Sequence, residues 1–265
     1  MIDGGAPPGS VVLLAGDVGA GGREFMYTSA AMNGLVEADP ELFDLYYGTL
    51  HENSVVPEEV HYLSFTSDGP ALVDEMAFAM DEDIVEAATG SIDFADLSPE
   101  YFQLSPVPTD WYAQQTQDIT SLGERHERRN VLDAMGDYLS EHAPGNLVMI
   151  DSVTDLVSAA SEQMDWSDIT VLMKGLKKAA QKWGGLILLH ANVEALTPTQ
   201  LGRLNDATDG TIRFKWESGG SERDRAMVVQ QFRGVLSRLE EENIVQFETE
   251  IGDDGFNISN VRKIR

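Results

Sequence analysis

Strand-like and helix-like segments alternate along almost the whole chain, and this alternation is the feature that most restricts its fold. Short apolar runs at residues 11–15 and 147–150 have the length and composition of buried strands. Apolar residues recur at helical spacing in residues 23–35 and 168–183, the latter with Asp168 as its expected N-cap. Helices that connect successive buried strands are typical of a mainly parallel sheet. The pattern therefore predicts an α/β domain with helices on both faces of a central sheet.

The last part of the chain differs, because strand-like segments there follow one another without intervening helices. These segments are residues 211–216, 225–232, 244–249 and 256–261. Turns between neighbouring strands predict an antiparallel edge to the sheet.

The other predicted elements are strands at 60–66 and 186–190 and helices at 69–80 and 130–142. Residues 89–123 have little periodicity, and we expect them to loop over the carboxyl ends of the strands. Because neither a repeat nor a low-complexity linker divides the chain, we expect a single domain over residues 1–265.

Acidic residues far outnumber basic residues. The 265 residues include 45 Asp and Glu against 18 Lys and Arg, which gives a formal net charge of −27. Such a charge repels nucleic-acid phosphates, so we expect no nucleic-acid partner. The acidic residues are dispersed along the chain, as in proteins of salt-accumulating archaea, where molar salt screens the repulsion. We therefore predict a halophilic, archaeal protein.

Cysteine is absent from the chain. This excludes disulfides, thiolate metal sites and a cysteine nucleophile. The apolar runs are far shorter than the roughly 20 residues of a membrane-spanning helix, and the N-terminus lacks the positive start of a signal peptide. We expect a cytoplasmic protein without membrane insertion.

A glycine-rich segment lies between the first predicted strand and the first predicted helix. Its residues, all candidates for nucleotide binding, are Gly16, Asp17, Val18, Gly19, Ala20, Gly21, Gly22 and Arg23. Glycines here let backbone N–H groups curl around phosphate oxygens, and the helix N-terminus adds positive potential. Gly16 and Gly21 match the spacing of G-x-x-x-x-G-K-[ST], but Gly22 stands in the Lys position and Arg23 in the hydroxyl position. The segment predicts either a degenerate phosphate loop or only a tight turn.

Arg23 and His190 each allow two interpretations. The Arg23 guanidinium either reaches phosphate oxygens bidentately or is an exposed helix residue paired with Asp17 or Glu24. His190, at the end of a predicted strand, either senses a γ-phosphate or caps the sheet.

Asp151 directly follows the apolar run at residues 147–150. A carboxylate at the carboxyl end of such a strand faces the phosphate loop and can hold magnesium, as in a Walker B motif. Asp151 with Ser152 is also an ordinary strand-ending pair that caps a helix. We predict Asp151 as the magnesium ligand, with Asp151 and Asp68 as the candidate catalytic residues.

In the order of these segments, the chain resembles the RecA-superfamily ATPases of the archaeal KaiC-like branch. The segments that carry the resemblance are residues 8–16, 62–65, 148–156, 186–190, 207–212, 232–234 and 247–255. The resemblance implies a RecA-like P-loop NTPase fold, ATP and Mg²⁺ as cofactors, and homo-oligomers. It also implies that Arg233, in the Phe-Arg-Gly-like segment at residues 232–234, belongs to the nucleotide site.

Departures from the family pattern suggest a degenerate ATPase. The second strand is followed by Thr66 and Ser67 instead of acidic residues, which leaves Asp68 as the nearest carboxylate in the sequence. Gln231 replaces a Lys that, in the family, reaches the nucleotide of a neighbouring subunit. Losing these groups removes electrostatic stabilisation that phosphoryl transfer needs. The leading hypothesis is a regulatory or signalling protein with an unknown protein partner and weak or no ATP hydrolysis. The alternatives are an active ATPase that uses Arg23 and Asp68, and a ligand-free interaction scaffold.

Overall fold

A single sheet organises the chain in the computed structural model, which describes residues 5–103, 105–112, 130–160, 165–218, 223–232 and 244–263. Its strands are β1 (Ser10–Gly16), β2 (Val60–Ser64), β3 (Ile92–Asp96), β4 (Leu147–Asp151), β5 (Leu186–Asn192), β6 (Gly210–Ser218), β7 (Arg223–Phe232), β8 (Ile244–Gly252) and β9 (Gly255–Lys263). Their order across the sheet is β3-β2-β4-β5-β1-β6-β7-β8-β9. Pairing is parallel from β3 to β6 and antiparallel from β6 to β9. The predicted mainly parallel sheet with an antiparallel C-terminal edge is confirmed.

Helices cover both faces of this sheet. They are α1 (Gly22–Ala38), α2 (Pro40–Tyr47), α3 (Gly69–Ala77), α4 (Glu82–Thr89), α5 (Ser98–Phe102), α6 (Val131–His142), α7 (Val153–Ala160), α8 (Trp166–Trp183) and α9 (Pro198–Ala207), with short 3₁₀ turns at Thr109–Trp111 and Val193–Ala195. Side chains from α1 to α4 pack on one face, and side chains from α6 to α9 pack on the other. The predicted placement of helices on both faces is therefore confirmed.

The central strand β1 joins the two hydrophobic cores. Val12 and Leu14 belong to one core, whereas Val11 and Leu13 belong to the other. All seven residues of β1 are buried, because strands flank it on both edges and helices cover both of its faces. Burying each Val or Leu side chain completely contributes roughly 1.5–3 kcal/mol, so a continuous apolar run is favoured at this position.

Three predicted helix boundaries were wrong by two or three residues. α1 ends at Ala38, three residues after the predicted end at Leu35. α8 begins at Trp166 with Asp165 as its N-cap, and the carboxylate of Asp168 accepts from the backbone N–H of Asp165 at 3.0 Å in a capping box. Asp165 and Asp168 are both suitable residues for a helix start. Only the two reciprocal hydrogen bonds of the capping box identify Asp165 as the N-cap and Asp168 as the N3 residue. α3 ends at Ala77, three residues before the predicted end at Met80.

The prediction that residues 89–123 form a loop was wrong in its first part. β3 lies there and pairs in parallel with β2, with Ile92 opposite Val60, and α5 follows it. β3 is an outer strand in which only Ile92 is buried, so its sequence carries little hydrophobic alternation. Residue 104 and residues 113–123 of this segment lie outside the described residues.

The β8–β9 hairpin packs against the first half of α1. The backbone N–H of Phe256 donates to Oγ1 of Thr28 at 2.8 Å. The Phe256 ring meets the rings of Phe25 and Phe214 edge-on, at centroid distances of 5.4 and 5.6 Å. These contacts fix the start of α1, and the glycine-rich loop before it, relative to the sheet.

Candidate functional site

The glycine-rich loop joins the carboxyl end of β1 to the N-terminus of α1. Two of its residues have left-handed backbone conformations, Gly19 with φ of 73° and Gly21 with φ of 104°. Such φ values strain residues that carry a Cβ, and a Cβ on Gly21 would lie only 2.8 Å from the Phe256 ring. These two glycines therefore give the loop the curl that the sequence predicts.

Residues of β6 and β7 hold the outer side of this loop. Nε1 of Trp216 donates to the carbonyl oxygen of Val18 at 2.9 Å, and Nε of Arg225 donates to that of Gly19 at 3.0 Å. The Arg225 guanidinium also lies 4.7 Å from the Trp216 ring centroid, in a cation–π contact. Because C=O and N–H point in opposite directions in a planar trans peptide, the N–H of Gly19 is directed away from Trp216.

The N-terminus of α1 has no side-chain cap, since its N-cap residue is Gly21. The backbone N–H groups of Gly22, Arg23 and Glu24 have no hydrogen-bond partner within the described part of the chain. Such free donors, together with the helix dipole, favour an anion at this position. The glycine-rich loop thus presents the donors that a phosphate-binding loop uses.

A cavity of about 320 Å³ opens in front of this helix N-terminus. Its lining combines loop residues with residues from the end of β5: Gly16, Asp17, Val18, Gly19, Gly22, Arg23, Glu24, His190 and Asn192. Asp17 is neutralised by Arg213 of β6, whose Nη2 lies 2.7 Å from Oδ1 of Asp17. Six of the eight predicted loop residues therefore line one cavity, while Gly21 is not part of its lining and Ala20 is buried behind the loop.

Asp151 lies at the carboxyl end of β4, where three neighbouring elements donate to its carboxylate. Arg23 of α1 binds it bidentately, with Nε 3.0 Å from Oδ2 and Nη2 3.3 Å from Oδ1. The hydroxyl of Tyr62 donates to Oδ2 at 3.0 Å, and Nδ1 of His190 lies 3.1 Å from Oδ1. The Asp151 side chain is only 5% exposed. It is the centre of a buried polar cluster formed by Arg23, Tyr62, Asp151 and His190.

The charges in this cluster support one another. Burial acts to raise the pKa of Asp151, but the hydrogen bond from His190 and the charge of Arg23 outweigh it and lower the pKa. Burial acts to lower the pKa of Arg23, but the charge of Asp151 leads the effects that raise it above its usual range. Burial, followed by the charge of Asp151, raises the pKa of Tyr62. Asp151 is therefore an anion, Arg23 a cation and Tyr62 a neutral donor at neutral pH.

Arg23 has further contacts beyond Asp151. Its Nη1 lies 3.9 Å from Oε2 of Glu75 in α3, an oxygen that also accepts from the hydroxyl of Tyr27. The predicted pairing of Arg23 with Asp17 or Glu24 was wrong. Arg23 instead contacts Asp151 and Glu75, two carboxylates that the fold brings close from β4 and α3. The Arg23 side chain is 45% exposed, and it borders the cavity.

The contacts of Asp151 do not fit a magnesium ion. Both carboxylate oxygens face hydrogen-bond donors, and Arg23 stands where the loop of the G-x-x-x-x-G-K-[ST] pattern supplies a hydroxyl ligand. The assignment of Asp151 as a magnesium ligand stays a prediction that this arrangement does not favour.

The other predicted site residues have different positions. Asp68 is exposed and serves as the N-cap of α3, where its Oδ1 accepts from the backbone N–H of Ala71 at 3.0 Å. It does not border the cavity. Arg233 lies outside the described residues. Tyr62, Glu75, Trp216 and Arg225 were not predicted as site residues, since they come from segments distant from the loop.

A second polar cluster, formed by Glu59, His61 and His142, lies at the opposite end of the sheet. Its ligand atoms lie within 4.8 Å of one another, a separation that would admit a metal ion. Local hydrogen bonds already satisfy it, however, because the buried His61 ring contacts Glu59 at 3.1 Å through Nε2 and Tyr138 at 2.9 Å through Nδ1. We interpret this cluster as a structural hydrogen-bond network.

Solved structures of two archaeal proteins have the same fold. A KaiC-like protein from the hyperthermophile Pyrococcus horikoshii OT3 is similar with a TM-score of 0.59 at 18% identity, over 98% of this chain and 93% of that chain. The flagellar accessory protein FlaH from Methanocaldococcus jannaschii is similar with a TM-score of 0.58 at 12% identity, over 97% of this chain and 92% of that chain. The likeness concerns the fold, and it confirms the predicted RecA-like architecture.

Sequence comparisons add no closer assignment. No protein-family model matches the chain, and no curated protein matches it. In the part of the chain that the structure describes, none of the helices has both the length and the apolar character needed to cross a bilayer.

Proposed function

We propose that this chain is a nucleotide-binding regulatory or signalling protein with weak or no ATP hydrolysis. The observation that carries the proposal is the uncapped N-terminus of α1, whose free N–H groups open onto the cavity beside the glycine-rich loop. The phosphates of ATP would be held by the backbone of residues 16–22 and by Arg23.

The same site offers little for hydrolysis. Asp68, the first carboxylate after β2 in the sequence, is used as a helix cap and lies outside the cavity lining. Thr66 and Ser67 cannot polarise a water as a carboxylate does. This supports slow or absent turnover, and it disfavours the alternative of an active ATPase that uses Arg23 and Asp68.

A protein that binds a nucleotide without consuming it can report the nucleotide to a partner. We propose a protein partner of unknown identity, with homo-oligomers as the assembly to test, and no nucleic-acid partner. We further propose that the chain is a single domain of a cytoplasmic protein, adapted by its dispersed acidic residues to the high salt of a halophilic archaeon.

The decisive experiment is a titration of the purified chain with ATP in molar KCl by isothermal titration calorimetry, followed by a phosphate-release assay. We expect saturable binding and phosphate release close to the rate without protein. Rapid release that Arg23→Ala abolishes would support the active ATPase. Absence of any binding would support the ligand-free scaffold.

A further inference from the structure

We propose that this site binds its nucleotide without a divalent cation, because the guanidinium of Arg23 replaces the metal on Asp151. The inference rests on the proposed function and deepens it, since it specifies a metal-free nucleoside polyphosphate as the ligand.

The position of Arg23 in the loop carries the first step. In the pattern G-x-x-x-x-G-K-[ST], the last residue gives a hydroxyl to magnesium, and an aspartate across the sheet holds the same ion. Arg23 occupies this last position, and its guanidinium spans both oxygens of Asp151, at 3.0 and 3.3 Å. A positive group thus stands between the loop and the carboxylate, and it is part of the chain.

The surroundings of Asp151 carry the second step. A magnesium ion at this carboxylate would have to displace Arg23, and it would meet Tyr62 and His190 as donors on the same two oxygens. Magnesium demands near-octahedral oxygen ligands and gives up its waters reluctantly. In a pocket where the Asp151 side chain is 5% exposed, three donors already fixed in place are the better partners.

The free part of Arg23 carries the third step. Nε and Nη2 are used by Asp151, whereas the one contact of Nη1 among the described residues is the long ion pair to Glu75 at 3.9 Å. The side chain borders the cavity next to the uncapped N-terminus of α1. A planar guanidinium can bind a carboxylate along one edge and still donate to a phosphate oxygen from another. Arg23 is therefore placed to bridge Asp151 and a bound phosphate.

A consequence for ligand choice follows. A nucleotide that arrives with magnesium brings a second cation toward Arg23, while a metal-free nucleotide brings only anionic oxygens, to which Arg23 and the loop N–H groups can donate. Binding should therefore be at least as tight when the metal is chelated. Without the metal that neutralises the leaving group, the bound nucleotide should also persist intact.

The test is calorimetric titration of the full chain with ATP in molar KCl, once with excess Mg²⁺ and once with EDTA. We expect equal or tighter binding in EDTA. Binding that requires Mg²⁺ would overturn this inference and leave the proposed nucleotide function standing. Absence of binding under both conditions would overturn both.

A substitution series makes the role of Arg23 specific. Arg23→Thr restores the hydroxyl and removes the guanidinium, so binding in EDTA should weaken by at least about tenfold, and Mg²⁺ should recover part of it. Arg203→Thr, on the exposed face of α9, is the matched control for the loss of one positive charge and should leave binding unchanged. Arg23→Lys keeps the charge without the bidentate fork. Its nucleotide affinity in EDTA should lie between those of the native chain and Arg23→Thr. An Arg23→Thr variant that is folded by circular dichroism and binds like the native chain in EDTA would refute the assignment.

Discussion

Arg23→Met would remove the guanidinium from Asp151 and keep much of the apolar stem of the side chain. Removing one partner of a buried ion pair costs roughly 3–5 kcal/mol. The Arg23 side chain is 45% exposed, so water compensates part of the loss, and Tyr62 and His190 still donate to the carboxylate. We therefore expect the free energy of unfolding to fall by about 2 kcal/mol, between the values for buried and exposed pairs. For a chain of this size, the melting temperature should fall by about 4–8 °C.

The assay is urea denaturation in molar KCl, monitored by circular dichroism. It is applied to a double-mutant cycle of Arg23→Met with Asp151→Asn. Since the two side chains are in direct contact, their coupling free energy should be about 1–2 kcal/mol. Arg203→Met serves as the control and should change stability little. A coupling near zero would show that Arg23 does not stabilise Asp151 and would refute the reasoning.

The same pair gives this prediction a pH dependence. The pKa of Asp151 is lowered from its usual value of 3.8, so the stability that its charge contributes is present above that value. This stability is lost as pH falls through the lowered pKa of the folded state, because the carboxylate then binds a proton. The difference between the native chain and Arg23→Met should therefore narrow below about pH 4.

Four further predictions concern the loop, the site and the surface. Gly21→Ala introduces a Cβ 2.8 Å from the Phe256 ring at a φ of 104°, and it should abolish nucleotide binding in calorimetry. The control Gly175→Ala, in open space on α8, should keep binding and stabilise the chain by about 0.5–1 kcal/mol. Equal effects of the two substitutions on binding would contradict the loop geometry. Gly22→Lys combined with Arg23→Thr should strengthen Mg²⁺-dependent ATP binding without fast phosphate release, and a variant that binds no ATP would show that the loop is not a cradle. Melting in dilute buffer should occur below the temperature measured in molar KCl, since the net charge of −27 is then unscreened; equal midpoints would exclude the halophilic interpretation. Duplex DNA should show no saturable submicromolar binding in an anisotropy titration, and such binding would contradict the electrostatic exclusion.

The architecture and the loop were predictable because both are local in sequence. Apolar runs such as residues 11–15 must be buried strands, and glycines between a strand and a helix leave few alternatives. β3 was missed because an outer strand with one buried side chain has no strong alternation.

The chemistry of the site depended on contacts that no local pattern encodes. Arg23 and Asp151 are 128 residues apart, and Tyr62 lies 89 residues from Asp151. The sequence indicated that each residue lies near the loop, but it favoured a metal on Asp151 and short-range partners for Arg23. Only the three-dimensional arrangement of α1 and the ends of β2, β4 and β5 shows that the Arg23 guanidinium binds both oxygens of the Asp151 carboxylate.

The central position of β1 has a consequence for how the chain folds during synthesis. Its parallel neighbours are β5 and β6, so the middle of the sheet cannot close until about residue 216 has left the ribosome. At 5–20 residues per second, roughly 10 to 40 s pass before both neighbours of β1 have been synthesised. Contacts of such long sequence separation slow folding and expose apolar edges to aggregation. A fragment that ends before β5 should therefore need a chaperone to stay in solution.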